Sequence, residues 1–198
     1  MKPGSSDFCK ELTASFGRVC EISIAQCERL AAHFELLIQW NRKLNLTSVR
    51  DPLQMIERHY CESLFLGSHL PMGALTVIDV GSGAGFPGVG VAVLRPEAVV
   101  TLCESNRRKA VFLRESTRGL PNVQVADCRA EDLGARFDWV VSRAVAWEAL
   151  PLIGSQVALL GSEPGPDFPW RERIRLPWGD RRVLYIGDVP RGTSADVS

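Results

Sequence analysis

The stretch VIDVGSGAGFPGVG, residues 77–90, decides the fold. Apolar and β-branched residues lead up to and surround Asp79, as a buried strand requires. The glycines that follow permit a tight turn in which a ligand can approach bare main chain. Pro87 suits the first position of a helix, where its missing N–H costs little, so the turn should deliver a helix N-terminus to the ligand. Read from Gly83, the stretch is G-x-G-x-x-G (Gly83, Gly85, Gly88), a dinucleotide fingerprint. Read through Gly81, it is D-x-G-x-G-x-G, the loop common in S-adenosylmethionine enzymes. Both readings need the same strand, turn and helix, so the loop alone leaves two cofactor classes open.

Working outward, strand-like and helix-like segments alternate. A strand at 75–80 is followed by a helix, then a strand at 98–103, a helix at about 106–117, and strands at 123–126 and 137–142. Alternation of this kind implies βαβ crossovers and a parallel sheet. Two further strands are expected at 156–160 and 183–186, around a proline-rich connector at 163–169. With no helix between them, the closing strand should enter antiparallel at one edge. Upstream, Leu30, Phe34, Leu37 and Ile38 mark an amphipathic helix over about 24–40, and 41–51 is a polar connector. A second helix should span 52–66, with Asp51 as N-cap before Pro52 in its first turn. The organisation expected is a helical N-terminal extension (1–70), an α/β core (71–189) and a flexible tail (190–198), compact as one domain.

Composition narrows the class. The chain has 198 residues, 45% of them hydrophobic, and a formal net charge of zero, which fits one soluble domain with a full core. Balanced charge argues against a nonspecific polyanion binder and leaves room for a local basic face. Arginine supplies two such clusters, one at Arg107, Arg108, Lys109, Arg114 and Arg118, the other at Arg171, Arg173, Arg175, Arg181 and Arg182. They read either as a solvated helix face and an exposed edge strand, or as phosphate contacts made by guanidinium forks. The six cysteines form no CxxC pair and read as reduced cytosolic thiols; no metal site is expected. The N-terminus is polar, and no apolar run approaches the roughly 18 to 20 residues of a bilayer span, so a cytoplasmic protein that does not insert into membranes is expected.

In an open α/β sheet the ligand sits beyond the carboxyl ends of the strands. Glu104 ends the second strand about 20 residues after the loop, where a carboxylate accepts hydrogen bonds from ribose hydroxyls; either cofactor would use it. Two features tilt the choice to the methyl donor. The fingerprint lies behind a helical lead of about seventy residues, and no room remains for a separate dehydrogenase substrate domain. A sulfonium and an amino group also gain more from acids, here Asp79 and Glu104, than from a phosphate cradle. Past the third strand, residues 127–132 (DCRAED) offer polar groups at the same edge for an adenine amine.

The motifs WNRKLNLT (40–47), RDPLQMIERHYCESL (50–64), DVGSGAGFPG (79–88), RAEDL (129–133) and VSRAVA (141–146), in this order, resemble the 16S ribosomal RNA guanine-N7 methyltransferases, the glucose-inhibited division protein B family. The likeness runs over about 24–149. It implies a class I S-adenosylmethionine-dependent methyltransferase fold, Rossmann-like, with a seven-stranded, mostly parallel sheet and a helical N-terminal extension. It implies S-adenosylmethionine as cofactor, and 16S ribosomal RNA or the small ribosomal subunit as partner; a monomer is expected. Asp79, Gly81, Ser82, Gly83, Gly85, Phe86 and Glu104 would form the methyl donor site, with Ala130 and Glu131 beside the adenine. Arg143 would stand near the reaction centre and Arg129 at the same mouth. Asn45, Arg58 and His59 match characteristic positions of the family; His59 reads equally as a hydrogen-bonded structural histidine or as an RNA contact. Three departures fall on the substrate side: Val145 where S-R-A-F-A is common, a shortened helix between 147 and 156, and Leu160 in place of the lysine of A-L-K-G.

Guanine N7 has an in-plane lone pair and needs no deprotonation, so no general base is expected. Catalysis would rest on alignment and electrostatics, with Arg143 and Arg129 gripping guanine O6 or a flanking phosphate. The target should be an unpaired or remodelled guanine. Three alternatives stay open: a methyltransferase for another acceptor, a noncatalytic RNA-binding protein of this fold, and a dinucleotide-dependent oxidoreductase.

Overall fold

The computed structural model describes residues 5–190. Seven strands form one sheet: β1 (Thr76–Val80), β2 (Val99–Cys103), β3 (Val123–Ala126), β4 (Phe137–Arg143), β5 (Gly154–Ser162), β6 (Glu172–Arg175) and β7 (Arg182–Asp188), ordered β3-β2-β1-β4-β5-β7-β6. Strands β3, β2, β1, β4 and β5 run parallel; β7 is antiparallel to both its neighbours, β5 and β6, so the closing strand has the expected direction but lies inside the sheet, with β6 taking the edge where the closing strand was expected. The order reverses between β2 and β4, on either side of β1, which places the binding crevice at the end of β1. This is the seven-stranded, mostly parallel class I methyltransferase architecture that the resemblance implies.

The helices are α1 (Ser5–Phe16), α2 (Ile24–Leu44), α3 (Pro52–Met55), α4 (Glu62–Ser68), α5 (Gly88–Leu94) and α6 (Arg107–Ser116). Helix α2 starts with a reciprocal capping box between Ser23 and Gln26, and ends at Asn45 in the left-handed region (φ 47°), which asparagine tolerates better than most residues. Its buried stripe includes Leu30, Phe34 and Leu37, as the spacing predicts, but the helix runs through the first part of the expected connector to Leu44. Asp51 caps α3 by accepting from the Gln54 N–H at 2.8 Å. The expected helix at 52–66 is then interrupted by a π-helical turn, Ile56–Cys61, which brings His59, Tyr60 and Cys61 inward together. Between β4 and β5 only a short 3-10 turn, Trp147–Ala149, replaces a crossover helix.

The expected helical extension begins with α1, whose Phe8, Leu12 and Phe16, four apart, are fully buried although the segment is largely polar. One expectation, that all six cysteines are reduced, needs correction. Packing of α1 on α2 brings Cys9 and Cys27 to a Cα–Cα distance of 5.7 Å as a disulfide, so these two are not free thiols. Cys20, Cys61, Cys103 and Cys128 are free. Beyond Pro190, the expected flexible tail lies outside the described residues. No helix among the described residues is long and apolar enough to cross a membrane.

Candidate functional site

The loop after β1 turns on three glycines with positive φ: Gly81 (70°), Gly83 (57°) and Gly85 (93°). Side chains with a Cβ rarely adopt these values, so the turn depends on glycine. It folds across the end of β2, where the N–H groups of Gly81 and Ser82 donate to the Cys103 carbonyl at 2.9 and 3.1 Å. Ser82 Oγ donates to the Asp79 carbonyl at 2.9 Å and ties the loop back to β1.

Two buried carboxylates stand at these strand ends. Glu104 accepts from the Gly83 N–H at 3.0 Å through Oε2 and from the Asn106 N–H at 2.8 Å through Oε1. Each oxygen keeps a lone pair. Asp79 lies under the loop, fully buried; Oδ2 accepts from the Gly88 N–H at 2.8 Å, while Oδ1 has no partner. Burial is the main force raising its carboxyl to about 7, only partly opposed by the Gly88 and Ser82 hydrogen bonds and by the Arg143 charge. The first N–H of α5 is thus taken by Asp79 and does not face the ligand as the sequence suggests. Glu104 lines a cavity of about 260 Å³ with Gly81, Ser82, Gly83, Phe86, Lys109 and Arg143.

The π turn supplies the opposite wall. His59 is 6% exposed and bonded at both ring nitrogens: Thr47 Oγ1 lies 2.7 Å from Nε2, and Arg143 Nη1 lies 3.0 Å from Nδ1. Because arginine only donates, Nδ1 accepts, and Nε2–H donates to Thr47. Burial, then the neighbouring Arg143 charge, lowers the His59 pKa to about 3, so the ring is neutral. Of its two readings, the hydrogen-bonded one describes its contacts. Phe86 stacks on His59 with centroids 5.0 Å apart and carries the Arg143 guanidinium over its face at 5.4 Å. Arg143 ends β4 just before Ala144, whose φ of 69° turns the chain sharply at the mouth.

Arg143, His59, Thr47 and Val145 also line a larger cavity of about 580 Å³ next to the first. On its far wall Glu62, fully buried, takes a two-pronged grip from Arg182, Nε to Oε1 at 2.9 Å and Nη2 to Oε2 at 2.7 Å. Arg143 Nη1 stands 4.0 Å from the same Oε2. Trp147 and Leu160 complete the apolar part of the wall, Leu160 being 2% exposed.

The structure therefore gathers Gly81, Ser82, Gly83, Phe86, Glu104 and Arg143 around one space. Asp79 and Gly85 lie behind it; a Cβ on Gly85 would come within 2.7 Å of Val89 Cγ2, so Gly85 serves packing. Ala130 is buried and Glu131 exposed on a 3-10 turn after β3, outside the lining of either cavity, though Cys103 Sγ tethers that segment through the Cys128 carbonyl at 3.3 Å. Arg129 is exposed and lines neither cavity. Of the basic clusters, Arg107, Arg108, Lys109 and Arg114 lie on α6 and Arg173 and Arg175 on edge strand β6. Lys109, Glu62 and Arg182 are site residues that sequence reasoning did not single out as such. Lys109 and Arg182 were visible only as members of basic clusters, and Glu62 as one letter of a motif.

Residues 26–150 match the model of the family described as rRNA small subunit methyltransferase G. The ribosomal RNA small subunit methyltransferase G of Nitrosomonas europaea is 46% identical over 138 residues, covering 68% of this chain and 60% of that protein. That of Xanthomonas campestris pv. campestris (strain B100) is 39% identical over 173 residues, covering 81% of this chain and 76% of that protein. Among solved structures, a SAM-dependent methyltransferase from Aquifex aeolicus superposes with a TM-score of 0.54 at 14% identity, covering 72% of this chain and 96% of that one. At that identity the likeness is one of fold.

Proposed function

The chain belongs to the rRNA small subunit methyltransferase G family, and from that premise we propose that it transfers a methyl group from S-adenosylmethionine to N7 of a guanine in 16S ribosomal RNA. The observation that carries this reading is the pair of adjoining cavities that share Arg143, His59 and Val145, one built on the glycine loop and Glu104, the other large and rich in arginine.

The residues present suit the cofactor. Glu104 keeps free lone pairs for ribose hydroxyls, and Asp79 Oδ1 is an unpaired buried acceptor beneath the loop, matched to an ammonium rather than to a pyrophosphate. When bound, S-adenosylmethionine supplies a methyl carbon activated by a sulfonium. Glu104, Gly81, Gly83 and Phe86 would hold it, Lys109 facing its carboxylate; Ala130 and Glu131, on their turn at the same edge, would flank the adenine.

Guanine N7 attacks through its in-plane lone pair, so no residue needs to remove a proton first. His59, neutral with both nitrogens engaged, orients Arg143 and does not act as a base. Arg143 retains guanidinium N–H groups for guanine O6 or a flanking phosphate, and the apolar surfaces of Val145 and Trp147 exclude water around the base. Arg129, exposed, would act at most on RNA outside this centre. Incubating the protein with labelled methyl donor and small ribosomal subunits, followed by nucleoside mass spectrometry, tests the reading. 7-methylguanosine in the 16S RNA is expected, and label in any other product would overturn it.

A further inference from the structure

The wall of the larger cavity is unbalanced in charge. Arg58, Arg143 and Arg182 line it, and Glu62 is the one carboxylate among its lining residues, so the cavity carries a surplus of two positive charges. The like charges act on one another: Arg182 and Arg58 both push the Arg143 pKa down, burial being the largest cause and Glu62 the main opposing charge. Holding three guanidinium groups around one carboxylate is costly unless an anion completes the set.

The geometry of Arg182 says where that anion goes. Of its five N–H groups, one on Nε and one on Nη2 are directed at Glu62, and one on Nη1 at Ser162 Oγ at 3.1 Å. The fork is fixed in plane by a buried partner, and one N–H on each of Nη1 and Nη2 is left over. The side chains of Arg182 and Glu62 are 17% and 2% exposed, so the pair is preorganised rather than a surface contact. Arg58 stands on the π turn beside it, its carbonyl taken by Arg143 Nη1 and its exposed guanidinium without an ion-pair partner among the described residues. Behind both arginines lies a smaller recess that carries Glu57 and Asp180, neither of which forms an ion pair with them.

We infer that Arg58 and Arg182 form a phosphate-binding subsite in this cavity, with Glu62 as the residue that positions Arg182, and that it takes the phosphodiester adjoining the target guanosine. The inference rests on the methyltransferase reading and adds to it the group by which the substrate nucleotide is seated. Guanidinium forks match phosphate oxygens in geometry, and a subsite beside Arg143 would hold the nucleoside with its base toward the shared mouth of the two cavities.

The test is a nuclear magnetic resonance titration of the protein, saturated with S-adenosylhomocysteine, with guanosine 5′-monophosphate and separately with guanosine. The monophosphate should bind about tenfold more tightly, as one charge-assisted contact typically provides. That preference should collapse in Arg58→Ala, whose side chain is exposed, and in Glu62→Gln/Arg182→Met, which removes both members of the buried pair. Equal binding of the two probes, no binding of the monophosphate, or a preference that survives both variants would overturn the subsite. Failure of the wild-type protein to methylate small-subunit RNA would instead strike the methyltransferase reading, and the two failures are read in separate assays.

Discussion

The main-chain N–H of Gly88 donates to Asp79 Oδ2 at 2.8 Å, joining the first turn of α5 to the end of β1 beneath the glycine loop. The approach is close enough to exclude a side chain: a Cβ on Gly88 would lie 2.2 Å from Leu102 Cδ2 and 2.9 Å from Asp79 Cβ. Gly88→Ala should therefore force α5 off the sheet, costing about 1–3 kcal/mol as overpacked cores do. Urea unfolding measures the loss, and calorimetry should show weaker cofactor binding because the loop rests on this contact. A variant as stable as the wild type would mean that α5 moves freely.

Asp79 sets a pH dependence. Its folded pKa, about 7, lies above the ordinary 3.8 of an unfolded aspartate, chiefly through burial. Below about pH 4 both states hold the proton and the group contributes nothing. Between about 4 and 7 the unfolded chain loses the proton while the folded chain keeps it, so stability falls as pH rises, then levels off. Asp79→Asn should remove this slope from urea midpoints measured between pH 4 and 8. An ammonium drawn to Oδ1 would also favour the charged carboxylate, so cofactor binding near pH 6 should release protons. Calorimetry in buffers of different ionisation enthalpy reads that release, which should be absent in Asp79→Asn.

Much of this arrangement was legible in the sequence, for identifiable reasons. The strands around Asp79 and Glu104 are short apolar runs bounded by glycine or polar residues, and the alternation with helices dictates parallel order. Helix α1 falls within the expected helical extension, but its bounds have a weak signal, because polar residues dominate the segment around the four-residue spacing of Phe8, Leu12 and Phe16. The charged letters of β6 pair only with β7 at the sheet edge, which matches the exposed-edge reading of the second arginine cluster. The Glu62–Arg182 pair had no local signal: its members are separated by 120 positions and meet only once β7 has inserted beside β5. The same holds for the neutral state of His59, which depends on burial contributed by the glycine loop and on a charge from β4.

Removing one member of that distant pair should reveal how much the fold depends on it. Glu62→Ala leaves Arg182 and Arg143 facing each other, and losing one partner of a buried pair typically costs about 3–5 kcal/mol. Because the two arginines keep 17% and 18% of their side-chain surface, the lower end is expected. Glu62→Gln combined with Arg182→Met should cost less than the sum of the single changes. A double-mutant cycle on unfolding midpoints measures the coupling; strict additivity would show the pair to be energetically idle.

Arg143 is where the two cavities, the neutral histidine and the donor loop meet, so its replacement separates fold from chemistry. Its guanidinium is mostly buried yet borders open space, and its bonds go to the Arg58 carbonyl and to His59 Nδ1 rather than into the hydrophobic core. Arg143→Ala should leave the far-ultraviolet spectrum and the unfolding transition close to wild type. Turnover on small-subunit RNA should fall by about 10²–10³, the usual scale for losing a preorganised electrostatic contact. His59 stays neutral near pH 7 in the variant, because burial is the first cause of its low pKa and remains. Arg143→Lys keeps the charge but not the planar fork, so it should recover little of the rate. Unchanged turnover in Arg143→Ala, or full recovery by lysine, would move the positioning of the base to another residue.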